Sequence, residues 1–286
     1  MKKYARQIFT GERALFCARD INLYECTFDD GESPLKEGQN ISVDACAFRW
    51  KYPLWYCRGA KVTNSTLFDT ARAGIWYTQG IEMTNCIIEA PKTFRRSRGI
   101  KLVDVSIPNA QETLWNCEDV ELTRVSAHGD YLAFNGKNFR LKDCTILSNY
   151  CFDGAENVLI ENCRLLAKDA FWNSVNVTVK NSYISGEYLG WNARNLTLEN
   201  CTIESLQGLC YIKGLRLVNC RLVNTTLAFE YSDVEADIDG TVDSVKNPSS
   251  GYIVADGYGE IIMEDDKVNT SLTRIEVRGS GAEKTA

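Results

Sequence analysis

Side chains able to contact a polyhydroxylated ligand recur about once every 18 to 21 residues: Tyr56, Tyr77, Arg95, Asn116, Asn135, Asp153, Asn173, Asn192 and Glu230, with Ile212 breaking the series. If the chain coils with that period, these groups stack into one strip of amides and charges facing hydroxyls, with two phenol rings as stacking faces for sugars. The segments leading into the strip add Glu112, His128, Asp130, Asp169 and Glu187, and His128 is the only histidine. Paired carboxylates act as general acid and base on a glycosidic bond, and a histidine or arginine assists proton abstraction beside a uronate. Asp153, Arg95, His128, Asp130 and Glu187 are therefore the candidate catalytic groups. Tyr56, Tyr77, Asn116, Asn135, Asn173, Asn192 and Glu230 are the candidate ligand contacts. Arg95, Arg96 and Arg98 form a cationic run suited to a carboxylate or phosphate, and equally to plain solvation.

The elements that must position these groups are set by a repeat. The segment Asn195-Leu196-Thr197-Leu198-Glu199-Asn200-Cys201-Thr202-Ile203 recurs upstream as Asn176 to Ile184 and Asn157 to Leu165. Its cysteine slot runs Cys26, Cys46, Ser65, Cys86, Val105, Val125, Cys144, Cys163, Ser182, Cys201, Cys220, always 19 to 21 residues apart. The residue before the slot is mostly Asn or Asp, from Asn64 to Asn219, which suits a left-handed turn and lets stacked amides hydrogen-bond from coil to coil as an asparagine ladder. Apolar residues alternate with polar ones on both sides of this turn, the period of a strand. A third strand carries Trp55, Trp76, Phe94, Trp115, Phe134, Phe152, Trp172, Trp191, Tyr211 and Phe229.

Three short strands per coil specify an all-β, right-handed parallel β-helix of 10 to 11 coils. The expected bounds are a cap over 1–16, coils over 17–232 and irregular cap strands over 233–286, in one domain without a linker. The strip faces outward if the third-strand aromatics face inward. The alternative, aromatics outward, makes a row of rings suited to a saccharide or a partner chain.

Hydrophobic residues make up 44% of the 286, enough for a continuous core, and the formal net charge is −6. With no long basic run, neither nucleic acid nor an anionic membrane is an expected partner. Met1 to Gln7 lacks the apolar core of a signal peptide, and no apolar run reaches the roughly 18 residues of a membrane span, so a cytoplasmic location is expected. The twelve cysteines show no CxxC pair or zinc spacing, and the seven in the repeat slot read as small inward residues of a buried ladder, with no metal site and no cofactor specified.

The segments Phe9-Thr10-Gly11-Glu12-Arg13-Ala14-Leu15, Lys51-Tyr52-Pro53-Leu54-Trp55-Tyr56, Arg72-Ala73-Gly74-Ile75-Trp76-Tyr77, Ala90-Pro91-Lys92-Thr93-Phe94-Arg95-Arg96 and Gly186-Glu187-Tyr188-Leu189-Gly190-Trp191-Asn192 resemble a bacterial family known only as a domain of unknown function. The resemblance spans nearly the whole chain and implies a pectin-lyase-like β-helix. It assigns no activity, so no catalytic residue follows from it. Function is therefore expected from the strip itself: binding of a polysaccharide or sugar acid, with lyase or glycoside hydrolase chemistry left open. The competing expectation is a non-catalytic scaffold that binds other proteins or a second copy of itself.

Overall fold

The computed structural model describes residues 1–279; the last seven residues of the expected C-terminal cap, 280–286, lie outside it. Residue contacts divide the chain into two compact units, Met1–Ser148 and Asn149–Ala286. Each unit is a parallel β-helix.

In the first unit the leading strands of the coils are Lys2–Ala5, Arg19–Tyr24, Gln39–Asp44, Arg58–Thr63, Gln79–Ile88, Arg98–Ile107, Glu118–Thr123 and Lys137–Lys142, each paired in parallel with the next. In the second they are Glu156–Glu161, Val175–Lys180, Arg194–Glu199, Lys213–Val223, Asp233–Ile238, Ser250–Ala255 and Thr273–Val277, also parallel throughout. About 15 turns result rather than 10 to 11. The expected caps are themselves coils. Ile8–Phe9 pairs with Thr27–Phe28, and Phe9 stacks on Phe28 at 5.1 Å. The repeat is hard to see there because Gln7 occupies the cysteine slot. At the other end a register shift between Leu217 and Cys220 places Ile238 opposite Cys220 and breaks the count.

Alternation does what period two requires. In Gln79–Ile88 the side chains of Ile81, Met83, Cys86 and Ile88 are buried while their neighbours are exposed. Between strands the chain turns through left-handed residues, such as Asn64, Asn181 and Asn200 before the cysteine slot, with φ between 49° and 52°. Asn200 Nδ2 donates to Asn181 Oδ1 at 3.1 Å, and Asn219 Nδ2 donates to Asn200 Oδ1 at 2.7 Å. Asn200→Leu is expected to lower stability by about 1–3 kcal/mol, combining the left-handed penalty of a branched side chain with two lost hydrogen bonds. Asn200→Gly should restore the backbone part only. Equal melting of wild type and Asn200→Leu would contradict this.

The slot residues do more than fill space. In several coils the slot residue follows a left-handed turn and the next coil's slot side chain accepts its amide: Cys46 N–H donates to Ser65 Oγ at 3.0 Å, Cys163 N–H to Ser182 Oγ at 2.9 Å, and Cys26 N–H to Cys46 Sγ at 3.3 Å. A small residue with a lone pair thus satisfies an inward amide that no strand pairs. All cysteines are free thiols, and all but Cys17 are buried. Burial pushes Cys57, Cys117, Cys151 and Cys210 up to about 12, and Cys46 to about 11. Native alkylation at pH 8 is therefore expected to modify Cys17 alone, the remaining thiols reacting after denaturation. Stoichiometric labelling of several thiols in the native protein would contradict the inward slot.

Candidate functional site

The third corner of each coil decides which groups face a ligand. The frame is fixed by hydrogen bonds from one coil to the next. In the first unit Cys17, Glu37, Tyr56, Tyr77 and Arg96 hold left-handed φ of 49° to 62°. Their amides donate to the carbonyls of Lys36, Trp55, Trp76, Arg95 and Trp115 at 2.8 to 3.0 Å. This frame places Leu54, Ile75, Phe94, Leu114 and Ala133 in one inward row, each no more than 1% exposed. Trp55, Trp76, Arg95, Trp115 and Phe134 follow as a half-buried outer row. Tyr56, Tyr77, Arg96, Asn116 and Asn135 come next, on the turn itself.

The expected inward aromatic ladder is thus corrected. The tryptophans face outward at an angle, and the indole N–H groups of Trp55, Trp76, Trp115 and Trp172 are used by the neighbouring coil: Trp76 Nε1 donates to Lys92 O at 2.8 Å and, in the second unit, Trp172 Nε1 donates to Tyr188 O at 2.9 Å. Burial of the ring with its polar tip at a carbonyl suits an amphipathic side chain. The expected strip is corrected with it. Arg95, Asp153 and Glu230 sit one position before the turn residues, and Ile212 is buried. Their displacement is visible in the sequence, since Arg95, Asp153 and Glu230 each lie 18 residues after the preceding member of the series.

The catalytic candidates are dispersed. Arg95 is clamped between Trp76 and Trp115, with its guanidinium 4.8 and 4.6 Å from the ring centroids, and is bonded to Glu112 at 3.1 Å. His128 ends the strand Ser126–His128, exposed, and its carbonyl accepts from Ala110 N–H at 2.7 Å. The Asp130 carbonyl accepts from Glu112 N–H at 2.9 Å. In the second unit Asp153 Oδ1 accepts from Asn173 Nδ2 at 3.0 Å, and Asn173 Oδ1 from Asn192 Nδ2 at 2.8 Å. Glu230, 7% exposed, is tied to Lys246 at 2.9 Å and Gln207 at 3.0 Å. Glu187 faces Lys168 at 3.8 Å across a shallow groove of about 480 Å³ that Glu204 and Asn224 also line. Beside Lys168, burial raises the Asp169 carboxyl above its ordinary range, and its Oδ1 makes no hydrogen bond.

What sequence reasoning missed is a groove of about 820 Å³ in the first unit. One wall is the turn row Cys17, Glu37, Tyr56, Tyr77 and Arg96; the other is Arg19, Gln39, Arg58, Gln79 and Arg98, the first residues of successive leading strands, in register with one another. Lys36 completes it. Five cationic side chains meet one carboxylate, Glu37, on a chain whose formal charge is −6. Arg98 is paired with Asp119 at 2.6 Å, and bonds from Asn138 and Arg98 hold that carboxyl below its usual range. Among the described residues no ion pair joins Arg19, Lys36, Arg58 or Arg96 to a carboxylate.

Tyr56 and Tyr77 do not offer their faces, contrary to expectation. Their rings stack on each other at 4.8 Å and 7°, with Lys36 over the outer face of Tyr56 at 5.6 Å and Arg96 over Tyr77 at 5.9 Å. The two phenols therefore supply ring edges and hydroxyls to the groove.

The family described as "Protein of unknown function (DUF3737)" matches residues 2–276. The chain belongs to this family. The resemblance read from the sequence thus holds over almost the full length. A comparison with curated proteins returns no match. Among solved structures, the chain is similar to the surface protein and adhesin PfbA of Streptococcus pneumoniae, with 8% identity, 94% of this chain and 89% of that one covered, and a TM-score of 0.39. The periplasmic alginate epimerase AlgG gives 9% identity, coverages of 94% and 74%, and a TM-score of 0.39. The A-module of the Azotobacter vinelandii mannuronan C-5 epimerase AlgE4 gives 10%, 98% and 89%, and 0.24.

Proposed function

We propose that this DUF3737 protein recognises an anionic carbohydrate, a sugar acid or acidic polysaccharide, in the groove of its first unit. The observation that carries this reading is the set of cations, Arg19, Lys36, Arg58 and Arg96, that line the groove without a carboxylate partner. Grouping like charges in one concave strip opposes stability, and an incoming anion offsets that repulsion. Guanidinium groups suit carboxylates because two parallel N–H bonds fit the planar acid, while the phenol hydroxyls and the Gln39 and Gln79 amides suit sugar hydroxyls. None of Arg95, His128, Asp130, Asp153 or Glu187 lines this groove, so the reading is one of recognition.

The test is calorimetric titration with acidic octasaccharides and with the same chains after their carboxyl groups are reduced to alcohols. The acid forms should bind and the reduced forms should not. Arg58→Ser should weaken binding about tenfold at unchanged melting temperature, the worth of one hydrogen bond to a charged group. Equal binding of acid and reduced chains would overturn the proposal.

A further inference from the structure

We infer that the ligand of this groove is a linear saccharide carrying its acid groups on alternate sugars, one per disaccharide; the inference rests on the anionic-carbohydrate reading above. The charge of the groove alternates coil by coil. Arg19, Gln39, Arg58, Gln79 and Arg98 are paired directly, Arg19 with Gln39, Gln39 with Arg58, Arg58 with Gln79, and Gln79 with Arg98. Rungs of a parallel sheet lie about 4.8 Å apart, so the guanidinium groups recur every ~9.6 Å. The opposite wall keeps this alternation. Lys36 and Glu37 bring opposite charges to the coil of Gln39, and the coils of Arg58 and Gln79 add only Tyr56 and Tyr77. Arg96 and Arg98 stand together in the last, where Asp119 neutralises one of them.

Avoidance of stacked like charges would by itself explain an interrupted arginine row. Further along the same row, however, the interruption is made by a carboxylate: Glu118 stands between Arg98 and Lys137 in register. Within the groove the intervening residues are neutral amides. Among the described residues, the carboxamides of Gln39 and Gln79 make no hydrogen bond to the protein, whereas exposed amides elsewhere, such as Asn173 with Asn192 or Asn181 with Asn200, bond to one another. Two free amides, each offering a donor pair and an acceptor, thus alternate with three guanidinium groups. An extended pyranose chain advances by roughly one rung per sugar. Laid along the groove, it sets a sugar acid against each arginine and a neutral sugar against each glutamine.

Two octasaccharides of matched length separate this from simple charge attraction: a hyaluronan octasaccharide, with a carboxylate on every second sugar, and an oligogalacturonate, with one on every sugar. Charge alone favours the second. The inference expects the hyaluronan octasaccharide to bind at least tenfold more tightly, and expects Gln79→Arg, which fills the neutral rung, to reverse or abolish that preference. Tighter binding of oligogalacturonate by the wild type would overturn the alternation and leave the anionic-carbohydrate reading standing. Binding of neither octasaccharide, or tighter binding of a single-stranded oligothymidylate than of both, would overturn the two readings together.

Discussion

Phe94→Ala is expected to destabilise the first unit by about 3–5 kcal/mol, a loss typical of truncating a buried aromatic in a core that relaxes only partly. Phe94 is 0% exposed and stands in register with Ile75 across the short parallel pair Ile75–Trp76 and Phe94–Arg95. Each inward residue of a β-helix packs against the coils above and below, so the void left by one ring is walled by residues held in place by their own backbone pairing. The neighbouring turn residue sets the contrast: Arg96→Ala removes an exposed side chain and should change stability by no more than about 0.5 kcal/mol. Chemical denaturation of both variants checks the frame of the third strand. A loss below about 1 kcal/mol for Phe94→Ala would mean that Phe94 does not point inward.

Arg95→Ala is expected to cost about 2–3 kcal/mol while changing the affinity for acidic oligosaccharides less than tenfold. The guanidinium fills the space between Trp76 and Trp115, and each cation–ring contact is worth about 0.5–2 kcal/mol depending on desolvation. The Arg95 side chain is only 21% exposed, and its Glu112 partner 23%, so their bond is less screened than a surface pair. Glu112 keeps Lys92 at 3.1 Å, which limits the loss. Arg95→Met, retaining volume without charge, should recover roughly half of it. Unchanged stability with abolished binding would instead make Arg95 a ligand contact.

The cysteine slot and the amide before it were legible because both repeat at one coil length and both serve the backbone: one accepts an orphan amide, the other adopts left-handed φ. The third strand was not, because aromatic residues make a poor inward marker. Phe94, Phe152 and Phe229 lie inside, whereas Trp76, Trp115 and Trp172 lie half out with their N–H groups on the next coil. Using both kinds to align coils shifts Arg95, Asp153 and Glu230 by one residue, which on a strand exchanges faces. The groove escaped for a different reason. Arg19, Arg58 and Arg98 stand 39 and 40 residues apart, two coils each, so the run Arg95, Arg96 and Arg98 marks only one end of the groove and stacking alone brings Arg19, Lys36 and Arg58 to it. Following the residue two places after each third-corner turn would have found Arg19, Arg58 and Arg98.

The most direct test of the central claim is a titration of the wild type and of the triple variant Arg19→Ser, Arg58→Ser, Arg96→Ser with an acidic octasaccharide at low and at physiological ionic strength. Wild-type affinity is expected to fall as salt screens the groove, and the triple variant, with its melting temperature unchanged, to bind at least a hundredfold more weakly at low salt. Binding of equal strength by the correctly folded triple variant would contradict it.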